Sequence, residues 1–343
     1  MSGDPSKSTK GKSKAYAGRW VARLGDRLVG QGGTPEQALQ AAKAAYIKET
    51  PQISYVPTEQ HLLFSPLFEK IQDILPRHIK IYLVGGAVRD ALLGRSTRDL
   101  DFVLPKDALA VGRRVANALS AAYYTLDEPR QTGRVILIET DGTRSVLDFA
   151  SQRGPDLESD LKARDFTVNA MAVNIRQPQA LLDPLGGATD LIRKKLRACS
   201  KTSFRDDPIR ILRGLRLAAA YGFHIQTETR QLMREATKQI PNISPERLRD
   251  ELFRILECPR RAAVIRALDM LGGLSGVLPE ITQLKGVKQT TPHTLDVWNH
   301  TLDVLQKLEQ LLGVLGLHYD EDLSSSLAMG MVNLYLGRYR RQL

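Results

Sequence analysis

Residues 81–105 read IYLVGGAVRDALLGRSTRDLDFVLP, and this stretch limits the possible folds more than any other. The largely apolar run from Ile79 to Val84 predicts a strand, Gly85-Gly86 a turn, and the residues after them a short helix. A second strand follows and carries Asp99-Leu100-Asp101. Residues i and i+2 of a strand point to one face, so the two aspartates project side by side. Paired carboxylates can share hard cations, and Mg²⁺ takes oxygen ligands together with substrate phosphates. Two such metals can activate an attacking hydroxyl and stabilise a leaving pyrophosphate, so the stretch points to nucleotidyl transfer. Glycines between a strand and a helix let backbone amides approach phosphates. Taken alone, the acidic pair also fits a solvated strand face, and the glycines a tight turn without a ligand. No G-x-G-x-x-G follows the strand and no Walker lysine is present, which excludes the usual dinucleotide and P-loop patterns.

The chain has 343 residues and a formal net charge of +11, which favours polyanionic partners. With 42% hydrophobic and 25% charged residues it has the balance of a globular protein with a substantial core. No apolar run is long enough to span a bilayer, and MSGDPSKSTKGKSK lacks the apolar core of a signal peptide. Cys199 and Cys258 fit no C-x-x-C pattern. A cytoplasmic location is therefore expected.

Residues 1–17 read as a disordered basic tail and 18–58 as a small appended ββα-like unit, for which the sequence suggests no role. In that unit Arg19–Leu24 and Arg27–Gly30 form a hairpin across Gly25-Asp26, and Thr34-Pro35 starts a helix reaching about Lys48. Ser65-Pro66 opens another helix, with Leu67, Phe68, Ile71 and Ile74 at helical spacing. A helix over 106–121 and strands over 122–126, 134–139 and 145–149 follow, and the chain is almost entirely helical from 206 onward. This mixture predicts an α+β fold. A head occupies 62–200, a helical neck 201–270 and part of a helical body 271–343.

Four later segments carry further chemistry. Asp148 lies in the apolar strand SVLDF, where a carboxylate is costly unless paired or metal-bound; a strand end facing water is the competing account. DLKARDFTVNAMA, residues 160–172, offers Arg164 as a forked donor and Asp165 as an acceptor, or a surface Arg-Asp pair. In FRDDPIRILRGLR, residues 204–216, Asp207 and Pro208 predict a helix start, and Asp206 and Asp207 stand at ion-pair spacing from Arg210. SPERLRDELFRI, residues 244–255, is an amphipathic helix.

In this order, together with the glycine turn of Asp183-Pro-Leu-Gly-Gly187, these segments resemble the motifs of the class II tRNA nucleotidyltransferases and bacterial poly(A) polymerases, within the polymerase-β superfamily. The resemblance covers about residues 78–310 and implies a polymerase-β-type head with a mixed sheet, followed by an all-helical neck and body. It implies that Asp99 and Asp101 bind two Mg²⁺ ions and that Asp148 completes the catalytic set. Gly85, Gly86 and Arg89 would hold the triphosphate, with Asp90 in the same nucleotide-binding set. Arg164 and Asp165 would read the ribose, with Asn169 as a buttress. Asp206, Asp207 and Arg210 would read the base, selecting CTP or ATP without a template; family members more often have Glu-Asp where this chain has Asp206-Asp207. Arg213 and Arg216 would contact triphosphate or RNA, Glu246, Arg249 and Glu251 would brace the base-reading helix, and the glycine turn would be a hinge. The implied partner is the 3′ end of tRNA, and the implied activity is addition of CMP and/or AMP. The segment between Asp148 and Asp160 is short, which raises CC-only addition. The same motifs admit A-only addition, poly(A) synthesis or a catalytically silent RNA-binding protein. His293 and His300 lie where some relatives carry a His-Asp phosphohydrolase, but the chain contains no His-Asp dipeptide.

Overall fold

The computed structural model describes residues 19–24, 27–32, 35–44, 51–56 and 62–315. They fall into two units, 1–63 and 64–343. The expected basic tail, the Gly25-Asp26 turn, Thr34 and the chain end lie outside the described residues.

In the first unit, strands β1 (Arg19–Leu24) and β2 (Arg27–Gly32) pair antiparallel, and helix α1 (Pro35–Ala44) follows. A third strand, β3 (Gln52–Val56), pairs antiparallel with β1 and gives the order β2-β1-β3. The unit is thus ββαβ. Val21, Ala22, Ala38 and Ala42 are fully or almost fully buried and form its core.

The second unit opens with α2 (Pro66–Ile74), which buries Leu67, Phe68 and Ile71. Then come β4 (Tyr82–Val84), α3 (Gly86–Leu92), β5 (Asp99–Leu104), α4 (Ala108–Leu119), β6 (Ala122–Asp127), β7 (Thr132–Ile138) and β8 (Arg144–Ser151). Helix α5 (Leu157–Lys162) leads to β9 (Ala172–Asn174) and β10 (Gln177–Leu182). The seven strands form one mixed sheet in the order β10-β9-β4-β5-β8-β7-β6. Strands β5 and β8 run parallel, and the other neighbours antiparallel.

Alternation along the strands gives this sheet two unlike faces. Leu100, Phe102, Val135, Leu147 and Phe149 are buried on one, with the Phe102 and Phe149 rings stacked at 4.9 Å. Helix α4 lies against that face and contributes Ala108, Val111, Val115 and Ala116 to the same core. Asp99, Asp101 and Asp148 stand on the other face, side by side in register.

The rest of the unit is helical apart from β11 (Lys195–Leu196) and β12 (His224–Ile225), which pair parallel. Helix α6 (Gly187–Ile192) precedes β11, and α7 (Ser203–Asp206) and α8 (Arg210–Tyr221) follow it. After β12 come α9 (Thr227–Ala236), α10 (Pro245–Leu256), α11 (Arg261–Leu271), α12 (Leu274–Val277), α13 (Pro279–Thr282) and α14 (Val297–Leu315). Helix α8 joins the helical part to the head through Gly214. A Cβ there would lie 2.6 Å from the Phe166 ring, so only glycine lets the helix lie this close. That approach sets Arg210 and Arg213 beside the 163–165 segment. No described helix is long and apolar enough to cross a membrane.

Asp207 departs from the expected helix cap. Helix α7 ends at Asp206, Asp207 is extended, and α8 begins at Arg210 without a side-chain cap. The Asp207 carboxylate accepts instead from Arg247 of α10, at 3.0 and 2.7 Å. An arginine from a distant helix has displaced a local cap.

Candidate active site

Register builds the first cleft, of about 580 Å³. Asp101 pairs with Asp148 across β5 and β8, and Asp99 with Val146, so three carboxylates share one patch of sheet at the cleft floor. Asp148 is already engaged, because Arg134, its partner on β7, donates to both its oxygens at 2.8 Å. Among the described residues, the Asp99 and Asp101 side chains make no hydrogen bond or ion pair. Asp101 is open to the cleft but crowded by protein atoms. That partial desolvation, with Asp148 and Asp99 close by, pushes its carboxyl up to about 6, against the pull of Arg164 and Arg213. Gly85, at φ 74°, comes in beside it: a Cβ would stand 2.9 Å from Asp101 Oδ2. A side chain at 85 would therefore collide with the carboxylate, and the positive φ also favours glycine.

The other wall of this cleft is a knot centred on Arg89. Its guanidinium donates to both Asp90 oxygens at 3.0 Å, to Asn169 Oδ1 at 2.7 Å and to the Tyr221 hydroxyl at 2.6 Å. It also lies over the Tyr221 ring, 4.3 Å from the centroid. Arg89, Asp90 and Asn169 thus tie α3, the turn at 167–169 and the end of α8 into one wall. Arg213 and Arg216 reach the cleft from α8. Arg216 donates to Glu251 at 2.6 Å, and Arg213 ion-pairs with Asp165 at 3.1 Å.

A second pocket of about 670 Å³ lies between the β7–β8 edge, the 160–165 segment and the starts of α8 and α10. Asp165 is 5% exposed; its Oδ1 accepts from the Phe166 amide at 2.8 Å and from Asn169 at 3.2 Å. Burial works to raise its pKa, but Arg213 and these two hydrogen bonds prevail and hold it below the usual carboxylate range. Its Oδ2, also buried, accepts no hydrogen bond among the described residues but faces the Arg213 guanidinium at 3.1 Å. Arg164 donates through Nε and Nη2 to Asp160 at 3.2 and 3.1 Å.

Arg210 is 7% exposed and does not pair with Asp206 or Asp207. It donates to the carbonyls of Ala163, Arg164 and Ser203 and to Ser203 Oγ, at 2.9–3.3 Å. Carbonyls that converge after a helix end outcompete carboxylates one turn away. Asp206 accepts from Thr202 at 2.9 Å.

The structure therefore brings Gly85, Gly86, Arg89, Asp90, Asp99, Asp101, Asp148, Asn169 and Arg216 to the first cleft or its wall. It brings Arg164, Asp165, Asp206, Asp207 and Arg210 to the second pocket, and Arg213 lines both. Sequence reading missed Arg134, Asp160, Tyr221 and Arg247. Arg134 was legible only through its pairing opposite Asp148, and Arg247 lies inside the 244–255 segment, where the sequence does not reveal its partner forty residues away. In the glycine turn, Asp183 accepts from the amides of Gly187 and Ala188 at 2.7 and 2.9 Å and so caps α6. Cys199 is largely buried, which pushes its thiol up to about 12, so it supplies no thiolate near neutral pH.

No group of three or more His, Cys, Asp or Glu suited to a metal ion occurs among the described residues; the Asp99–Asp101 pair offers two carboxylates on one face at the cleft floor. Hard oxygen donors that leave positions for substrate oxygens suit Mg²⁺. A divalent cation bound here would compensate the desolvation that raises Asp101 and the proximity of Asp148 and Asp99, and the residues fit the ion.

Residues 81–197 match the poly A polymerase head domain, and residues 222–285 match the probable RNA- and SrmB-binding site of polymerase A. Residues 13–59 match a family of unknown function. A CC-adding tRNA nucleotidyltransferase of Geobacter sulfurreducens is 40% identical over 191 residues, 56% of this chain and 44% of that protein. An A-adding tRNA nucleotidyltransferase of Deinococcus radiodurans is 39% identical over 231 residues, 66% of this chain and 51% of that protein. The chain spans about half the length of the curated relatives it matches. Among solved structures, the Thermotoga maritima CCA-adding enzyme complexed with tRNA is 30% identical, with a TM-score of 0.55, over 72% of this chain and 55% of that one.

Proposed function

We propose, for a chain that belongs to the class II tRNA nucleotidyltransferase family, that it adds CMP and/or AMP from CTP or ATP to the 3′ end of tRNA, without a template, releasing pyrophosphate. The observation that carries this reading is the Asp99–Asp101 pair, unpartnered among the described residues, beside the Gly85 turn. Asp99 and Asp101 would hold two Mg²⁺ ions, which would supply activation of the primer 3′-hydroxyl and charge stabilisation of the leaving pyrophosphate. Gly85 and Gly86 leave the triphosphate room beside the carboxylates. Arg89, bound on all sides by protein, shapes the wall that the triphosphate lies against. Arg213 and Arg216 add positive charge across from it.

Asp165 Oδ2, held by the Arg213 ion pair but accepting no hydrogen bond among the described residues, keeps acceptor capacity for a ribose hydroxyl, which supports ribonucleotide choice. Arg164 stands next to it. On the Watson–Crick edge of the base, a carboxylate accepts from an exocyclic amine and an arginine donates to the adjacent ring nitrogen, a pairing that C and A satisfy; U lacks the amine, and the ring nitrogen beside it in G is a donor. Asp207 and Arg210 fill those roles, with Asp206 at their side. Asp148, neutralised by Arg134, serves the site by its placement next to Asp101. The substrates would place the reaction in the cytoplasm.

Addition of C alone is a second reading. Only residues 152–156 separate β8 from α5, closed by Asp156 accepting from the Ser159 amide at 2.8 Å, and this leaves no long flexible loop beside the base pocket. The test gives the protein, with Mg²⁺, tRNAs ending before CCA or in CC and an unrelated RNA, with CTP and ATP supplied separately. Incorporation on tRNA is expected. CMP without AMP selects the second reading, and long adenylate tails on unrelated RNA overturn both.

A further inference from the structure

The face of the sheet that carries the carboxylates does not end at them. Register continues it from Asp148 to Arg134 on β7 and from Arg134 to Tyr124 on β6. Arg144 and Val146 of β8 and Ile136 and Ile138 of β7 stand on the same face, opposite one another. The opposite face is closed by α4, and Tyr123, the neighbour of Tyr124, donates its hydroxyl there to the Leu109 carbonyl at 3.1 Å. The carboxylate face stays open: Tyr124 is 54% exposed and Ile138 68%. Arg144 makes no ion pair among the described residues, and it lines the carboxylate cleft together with Arg134 and Val146.

The reaction proposed above gives this surface a direction. The triphosphate lies on the β4 side of the carboxylates, at the Gly85 turn and the Arg89 wall. In-line displacement requires the attacking hydroxyl to enter opposite the departing pyrophosphate. Opposite β4, across β5, lie β8, β7 and β6. An exposed aromatic ring, exposed aliphatic side chains and arginines leading to the reacting centre suit single-stranded RNA, whose bases stack while its phosphates pair with cations.

We propose that the open face of β8, β7 and β6 is the platform for the single-stranded 3′ end of the acceptor RNA, with Tyr124 stacking on a base and Arg144 facing a phosphate. The inference rests on the transferase reading. Its test uses the 343-residue chain and the variants Tyr124→Ala, Arg144→Ala and the two combined. Acceptor Kd is measured over a salt series with tRNAs ending in C and in CC, which keep a single-stranded 3′ end, alongside KM for acceptor and for CTP, and Tm checks that each variant folds. The combined variant should raise acceptor Kd and KM about tenfold, with KM for CTP moved much less. Arg144→Ala should lower the slope of log affinity against log salt by about one. An active wild-type chain whose acceptor Kd and salt slope do not change in the combined variant overturns the platform alone. Unchanged RNA affinity together with loss of a concentration-dependent dimer would make the face a protein interface and would also overturn it. A wild-type chain that extends no RNA overturns the transferase reading beneath it.

Discussion

The carboxylates of the two pockets are held in opposite ways. In the first cleft, Asp99 and Asp101 face open space without a partner among the described residues, and Asp101 rises to about 6. In the second, Asp160, Asp165 and Asp207 are each engaged by an arginine. Carboxylates left without protein cations remain able to capture a metal from solution. Carboxylates pinned by arginines have fixed orientations, which suits recognition of a shape. Asp148 marks the boundary: it stands in register with Asp101 but is pinned by Arg134.

The strongest way to break this contrast is Asp101→Asn. Incorporation should fall on the order of a thousandfold or more, because a donor for both metal functions is lost. The same change should raise Tm near neutral pH when no divalent cation is present. The carboxyl is raised above its usual 3.8, so its contribution to stability is present below that value and is lost as pH climbs through about 6. The Tm difference should therefore vanish by about pH 4; an equal gain at both pH values would sink the crowding argument. Protons also compete with the cation, so Mg²⁺ affinity, read by titration, should weaken below about pH 6 and level off above it.

Arg210→Ala tests the pinned side. It strips partners from three carbonyls around a buried position and should cost about 2–3 kcal/mol in denaturant unfolding. It should also relax the choice among CTP, ATP, UTP and GTP. Altered stability with unchanged selectivity would reduce Arg210 to a fastener. The smallest effect is expected from Arg247→Ala. The Asp207–Arg247 pair is partly exposed, so stability should change by less than about 1 kcal/mol. Freed from Arg247, Asp207 should discriminate less well, with UTP exclusion weakened by about tenfold. Selectivity equal to wild type would mean that Asp207 needs no support.

Most of the first cleft was legible in the sequence, because its parts are local. The strand, turn, helix and D-x-D strand follow one another within residues 81–105, and period-two alternation places both aspartates on one face. The second pocket was less legible. Spacing within the 204–216 helix suggested that Asp206 and Asp207 pair with Arg210, yet each found another partner. Arg210 turned to carbonyls of a segment 46 and 47 residues away, and Asp207 to an arginine 40 residues away. Helical spacing says which side chains can meet on one helix, but it does not rank them against groups brought in by another element.

The sequence by itself determined the alternation that aligns Asp99 with Asp101, the glycine turn next to them, and the passage from mixed head to helical neck. These depend on backbone periodicity and steric limits, which act over a few residues. Only the tertiary structure decided which carboxylates would be free and which paired. It set Arg134 across from Asp148, let α8 approach Phe166 at Gly214, and carried Arg247 to Asp207. Charge pairing depends on distance in space, and distance in space between remote residues is fixed only when the sheet and helices have packed.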